Sequence, residues 1–130
     1  MKTGQTHTKT IIVQEKDSAR AFGSGCLDVF GTPAMIGLME NVCLEMTRPS
    51  LPADSDTVGI EINAQHLKAS PIGASITCTA TIISIDERKI CYEIEARDTS
   101  NDIIGTATHQ RFIVDIEKFM RKMPSAVAHR

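Results

Sequence analysis

A chain of 130 residues has the size of one domain, expected over residues 1–130, and buries roughly two-thirds of the surface its unfolded form exposes, enough for a core without staples. Its 42% apolar and 23% charged residues are those of an ordinary soluble globular protein, and 14 basic against 16 acidic residues leave a net charge of −2, which argues against nucleic acid as a partner. No run approaches the length that spans a bilayer and the start, MKTGQTHTKT, lacks a signal-peptide core, so no membrane partner and a reducing, cytoplasmic address are expected.

In chain order, Lys9 to Gln14 is short and β-branched and predicts a first strand. Glu15 to Phe30, with Gly23-Ser24-Gly25 inside it, has no clear periodicity and reads as a loop. Thr32-Pro33 predicts a helix start, threonine as cap and proline at the first helical position, and the helix should run from about Pro33 to Thr47. Met35, Met39, Val42 and Met46 form its apolar stripe, widened by Ile36, Leu38 and Cys43, so a largely surrounded core helix is expected.

Four strands follow with period-two alternation. In Thr57 to His66 the even positions, Val58, Ile60, Ile62, Ala64 and His66, share the expected inner face. Ile76, Cys78, Ala80 and Ile82 do so in the next strand, and Ile90, Tyr92, Ile94 and Ala96 in the one after. The last strand, Ile103 to Val114, is long and mixed. Turns are expected at Ser70–Gly73, Asp86-Glu87 and Asp98–Asp102, and sequential strands so joined are expected to be neighbours. Asp115 to Lys122 predicts a terminal helix before a loose PSAVAHR tail. The fold class is therefore α+β, an antiparallel sheet of five to six strands against one long helix.

The four cysteines include no C-x-x-C pair and are expected to be reduced; no cluster of ligating side chains predicts a metal site. Three polar residues have spacing that invites chemistry. His66 follows the apolar parity of its strand, as either a satisfied core histidine or a functional imidazole facing the helix. Glu40 lies about 120° from the centre of the methionine stripe, beside Gly37 and Leu44, as either a solvated helix carboxylate or a functional one under the sheet. Thr32 caps the helix, and its hydroxyl is also available to a site; eight residues of helix rise, about 12 Å, separate it from Glu40. His109, beside Thr108 and Arg111, is a further candidate, structural or functional. For an anionic ligand, Lys68, Arg88, Lys89, Lys118, Arg121 and Lys122 are available.

Thr32, the Gly37-Leu38-Met39-Glu40 segment, His66 and Pro71-Ile72-Gly73, continued by Gly105-Thr106-Ala107-Thr108-His109 and Lys118-Phe119, resemble the hot-dog-fold acyl-CoA thioesterases of the fluoroacetyl-CoA thioesterase type over nearly the whole chain. The resemblance implies the hot-dog fold, a sheet wrapped around the long helix, and hydrolysis of a small acyl-CoA thioester to the free acid and coenzyme A. It implies Thr32 as nucleophile or water-orienting hydroxyl, His66 as general base and Glu40 as its partner or as the attacking carboxylate, with Gly59 and Arg111 touching substrate. No cofactor is implied beyond the coenzyme A of the substrate. A homodimer is implied, with dimers of dimers left open, and an edge strand at Ile90 to Arg97 fits that assembly. Where that family carries a bulky aromatic lid, this chain has Gly23-Ser24-Gly25-Cys26, with Phe22 and Phe30 the nearest aromatics; the departure bears on the acyl pocket and leaves thioester cleavage untouched. Two other readings remain open: a non-catalytic acyl-CoA or small-molecule binder on the same fold, and a hydratase, whose Asp-x-x-x-x-His pattern this sequence lacks.

Overall fold

A computed structural model describes residues 1–127. Strand β1 (Thr6–Ile12) leads through a 3-10 turn (Glu15–Asp17) and a short helix α1 (Ala19–Phe22) to the long helix α2 (Thr32–Thr47). Strands β2 (Ser55–His66), β3 (Ser75–Asp86), β4 (Lys89–Arg97) and β5 (Ile103–Asp115) follow, closed by α3 (Ile116–Arg121). The five strands form one antiparallel sheet in the order β1-β3-β4-β5-β2. Its inner face covers α2, the wrapped-helix arrangement expected of a hot-dog fold. The last three positions of the PSAVAHR tail lie outside the described residues.

The α2 stripe is the core. Met35, Leu38, Met39, Val42, Cys43 and Met46 are buried against Ile76, Cys78, Ala80 and Ile82 of β3 and Ile90, Tyr92, Ile94 and Ala96 of β4. Each large apolar side chain so buried contributes roughly 1.5–3 kcal/mol, which fixes α2 across the sheet far more firmly than helix propensity could.

Several expectations change. The Glu15–Phe30 segment is loop only in part: the 3-10 turn and α1 occupy its first half, where Ser18 caps α1 by accepting from the Ala21 N–H and Gly23 ends it with φ 70°; residues 23–28 form an exposed loop as expected, and Phe30 is buried and bridges to Ser18. The β3–β4 turn is Glu87-Arg88, one residue later than expected, with Glu87 at φ 56°. Sequential pairing holds for β3, β4 and β5 only; β2 and β3 are not neighbours, and the segment that joins them, residues 67–74, pairs with Val13, Val29 and Phe30 ahead of α2. β4 is therefore interior, and the sheet edges are β1 and β2.

The alternation in β2 also fails halfway. Gly59 is opposite Arg111 and Glu61 opposite Gln110, so Ile60 is an extra residue, a β-bulge. Because side chains alternate with period two, one extra residue reverses the faces on its far side. Thr57 and Gly59 face α2 before the bulge and Ile62, Ala64 and His66 after it, while Ile60 is 52% exposed.

Candidate active site

The start of α2 is set by close packing. A Cβ on Gly31 would lie 3.0 Å from the Ala19 N and 3.1 Å from its Cα, so only glycine lets α1 press against this point. The Gly31 N–H donates to the Asp17 carbonyl, and Gly31, not Thr32, is the N-cap. Thr32 is the first helical residue and its hydroxyl caps nothing; it is free to turn toward the sheet.

There it meets His66, the last residue of β2: Thr32 Oγ1 is 2.8 Å from His66 Nδ1. Phe30 sits edge-on to the imidazole, ring centroids 6.3 Å apart at 78°. His66 Nε2 is buried without a hydrogen-bond partner. Burial lowers the His66 pKa from its ordinary 6.5, partly offset by the Lys68 backbone, so the imidazole is neutral and can accept a proton at neutral pH. The Met35 N–H donates to the Gly31 carbonyl, and Pro33 has no N–H. Of the amides that open α2, those of Thr32 and Ala34 have no partner among the described residues and are available to an anion. The pair borders an open cleft of about 340 Å³ lined by Ala19, Ser24, Val29, Phe30, Leu67 and Lys68. A larger concavity of about 590 Å³ lies on the sheet's outer face among Thr79, Thr81, Glu93, Glu95 and Thr108; its lining includes no histidine, its Glu95 is paired with Arg97 and its Thr79 hydroxyl with Thr8, so it is not the candidate.

Glu40 is not part of this pair. Two turns further along α2, its carboxylate faces Gly59, where a Cβ would lie 3.0 Å from Glu40 Oε2, 3.1 Å from His109 Cε1 and 3.5 Å from Arg111 Nη1. Arg111 is buried, and its Nη1 approaches Glu40 Oε2 to 3.9 Å. The Arg111 Nε–H donates to Thr57 Oγ1 at 2.8 Å and Nη2 to the Thr57 carbonyl at 3.1 Å. His109, expected only as an alternative, stands next to it, 1% exposed, with Nδ1 2.6 Å from the Glu61 carbonyl and Nε2 3.1 Å from Arg111 Nη1. The structure thus divides the predicted set into a Thr32/His66 pair and a Glu40/Gly59/Arg111 group, and adds Thr57, which sequence parity had assigned to the outer face.

The remaining candidates are scattered. Lys68 is held between Asp98 and Asp102 at 2.7 and 2.8 Å, and Arg121 pairs with Glu117. Arg88, Lys89, Lys118 and Lys122 form no ion pair among the described residues. All four cysteines are free thiols; burial pushes Cys43 and Cys78 up to about 12 and leaves them unreactive. Among the described residues there is no group of three potential metal ligands, and no helix is long and apolar enough to cross a membrane.

Comparison with known proteins points one way. The profile of the fluoroacetyl-CoA-specific thioesterase family matches residues 13–117. The fluoroacetyl-CoA thioesterase of Streptantibioticus cattleyicolor is 35% identical over 96 residues, 74% of this chain and 68% of that protein. A variant of the fluoroacetyl-CoA-specific thioesterase FlK, solved with fluoroacetate and CoA, superposes with a TM-score of 0.87 at 30% identity, covering 92% of this chain and 99% of that one. Another, solved with acetyl-CoA, gives 0.87 at 30% identity, covering 94% and 96%.

Proposed function

The chain belongs to the fluoroacetyl-CoA-specific thioesterase family, and from that premise we propose that it hydrolyses a small acyl-CoA thioester to the free acid and coenzyme A, using Thr32, His66 and Glu40. The observation that carries this reading is the 2.8 Å contact between the Thr32 hydroxyl and a neutral imidazole at the start of a long helix. His66 Nδ1 takes the proton as the oxygen of Thr32, or of a water that Thr32 holds, attacks the thioester carbonyl. The Thr32 and Ala34 amides and the positive end of the α2 dipole support the developing oxyanion. The carbon–sulfur bond then breaks, and the proton held by His66 leaves with the CoA sulfur; where Thr32 itself attacked, a water that gives its proton to His66 next cleaves the acyl-threonine ester, releasing the free acid and returning the proton to the Thr32 oxygen. No cofactor enters beyond the coenzyme A of the substrate.

Glu40 joins the site through a second subunit. β2 is an edge strand whose outer side pairs with nothing among the described residues. Antiparallel pairing of two β2 edges, about a two-fold axis close to Asn63, sets His66 opposite the Gly59 region of the partner subunit, where the partner's Glu40 lies. The apolar Ile60, turned out by the bulge, is covered by the same contact. This arrangement completes two sites per homodimer.

Thiol release from a panel of short acyl-CoAs, acetyl-CoA and fluoroacetyl-CoA included, tests the reading. Release that disappears in His66→Ala supports it; binding of the whole panel without release by the wild-type chain leaves a binding protein on this fold. Gly23-Ser24-Gly25-Cys26 lies between α1 and α2, and Ser24 borders the cleft. These small side chains leave the acyl end open, so acyl groups somewhat larger than fluoroacetyl should also be turned over.

A further inference from the structure

We infer that His109 is a positioning residue for Glu40: it acts as a fixed, uncharged hydrogen-bond acceptor that, together with Thr57, aims the buried Arg111 guanidinium at the Glu40 carboxylate. The inference rests on the assignment of Glu40 to thioester hydrolysis.

The hydrogen bonds fix the tautomer. A carbonyl oxygen can only accept, so the 2.6 Å contact with Glu61 places the proton of His109 on Nδ1. Nε2 is then left with its lone pair, and the neighbour 3.1 Å away is Arg111 Nη1, which can only donate. His109 therefore cannot act as an acid through Nε2, and as a base it would first have to lose Arg111. Burial and the guanidinium both lower its pKa, the Glu61 carbonyl opposing them, which keeps the ring neutral. Its orientation is fixed from the other side by Tyr92, stacked on it at 6.0 Å and 28°, whose own hydroxyl hydrogen-bonds Thr47.

Arg111 is correspondingly committed. Nε and Nη2 go to Thr57 and one N–H of Nη1 goes to His109, so the guanidinium is clamped in its plane. Nη1 keeps one further N–H, and the anion nearest to it is Glu40, at 3.9 Å. A charge 8% exposed at its side chain needs a partner, and the clamp decides where that partner sits. Gly59 makes the convergence possible, since a methyl there would stand among all three groups.

A double-mutant cycle tests this. His109→Phe keeps a ring against Tyr92 and removes both hydrogen bonds; His109→Gln returns an acceptor toward Arg111. Expected are a fall in kcat of roughly 10- to 100-fold for His109→Phe with KM within about threefold, as for a misplaced catalytic group, and recovery of most of that loss in His109→Gln. In a Glu40→Gln background His109→Phe should change kcat less than about twofold, because the group it positions is gone. Equal, multiplicative losses in both backgrounds would overturn the proposal, as would ring ¹⁵N shifts placing the His109 proton on Nε2. If His109→Phe fails to fold, Thr57→Val, which removes only the hydroxyl receiving the Arg111 Nε–H, carries the same cycle with the same expected silence. A wild-type chain that releases no thiol overturns the thioesterase assignment instead, and the ¹⁵N measurement separates that failure from failure of the clamp.

Discussion

The Thr32 hydroxyl is bonded to the His66 imidazole and not to the helix it begins: the cap of α2 is Gly31, and the 2.8 Å contact with Nδ1 is the hydroxyl's hydrogen bond. A threonine expected to serve helix stability is instead available for chemistry, and mutations there separate the two roles.

Thr32→Val should lower turnover by at least 10²-fold while stability falls only by the value of one hydrogen bond, about 0.5–1.5 kcal/mol. Thr32→Ser should recover a substantial part of the rate. Thiol release and urea denaturation on the same preparations check both; a serine variant as slow as valine would remove the hydroxyl from the mechanism. His66→Ala should lose about 10² to 10⁴ in rate with the circular dichroism spectrum retained.

Acid should weaken both catalysis and folding. The folded-state pKa values of His66 and His109 are depressed, mainly by burial, below the ordinary 6.5. Between the depressed value and 6.5 the unfolded chain binds protons that the folded chain refuses, so stability rises with pH through this window and is fully present above it. The acid limb of kcat/KM should accordingly fall below pH 6.5, since His66 must be neutral to act. A limb centred above that value contradicts the burial argument; thermal midpoints between pH 5 and 8 check the stability side.

Gly59→Ala should slow hydrolysis by roughly tenfold or more through displacement of Glu40, because the added carbon would lie 3.0 Å from its Oε2. Gly105→Ala is a contrasting case. Opposite His66 in the ladder, its added carbon would meet Met35 Sδ at 2.5 Å and the Gln65 carbonyl at 3.1 Å, which predicts a loss of stability of about 1–3 kcal/mol by overpacking. Urea midpoints and kinetics together distinguish the two glycines.

Subunit mixing decides where Glu40 acts. His66→Ala and Glu40→Gln chains, each strongly impaired alone, should regain about a quarter of wild-type activity when unfolded together and refolded, since half of randomly formed dimers are mixed and each holds one complete site. No recovery, with mixed dimers demonstrated by mass, would place all three residues in one chain's site. Light scattering at micromolar concentration should give twice 14.2 kDa.

The core was legible because its signals are local. The methionine stripe of α2 and the alternation of β3 and β4 each report burial within one element, and each packs as read. What was not legible depends on distant partners. The bulge at Ile60 arises where Gly59 pairs with Arg111; a glycine inside a strand pattern is the one local sign of it, and alternation alone passes over that sign and puts Thr57 and Gly59 on the wrong face. The cap shifted to Gly31 because α1 leaves no room for a Cβ there, a contact between segments read as loop and helix start. The position of β2 beyond β5 is set by its long ladder with that distant strand, which hairpin-length turns do not reveal. Thr32 and His66 were individually legible; their contact required the fold.

The chain has no tryptophan and one tyrosine, and that tyrosine is Tyr92. It is wholly buried, its ring lies on His109, its hydroxyl is bound to Thr47, and its pKa is pushed up to about 12. All of the near-ultraviolet tyrosine signal of the protein therefore originates from one fluorophore touching the residue next to Arg111. Native emission and absorbance are a label-free optical reporter of the surroundings of Glu40, readable during turnover without any introduced dye.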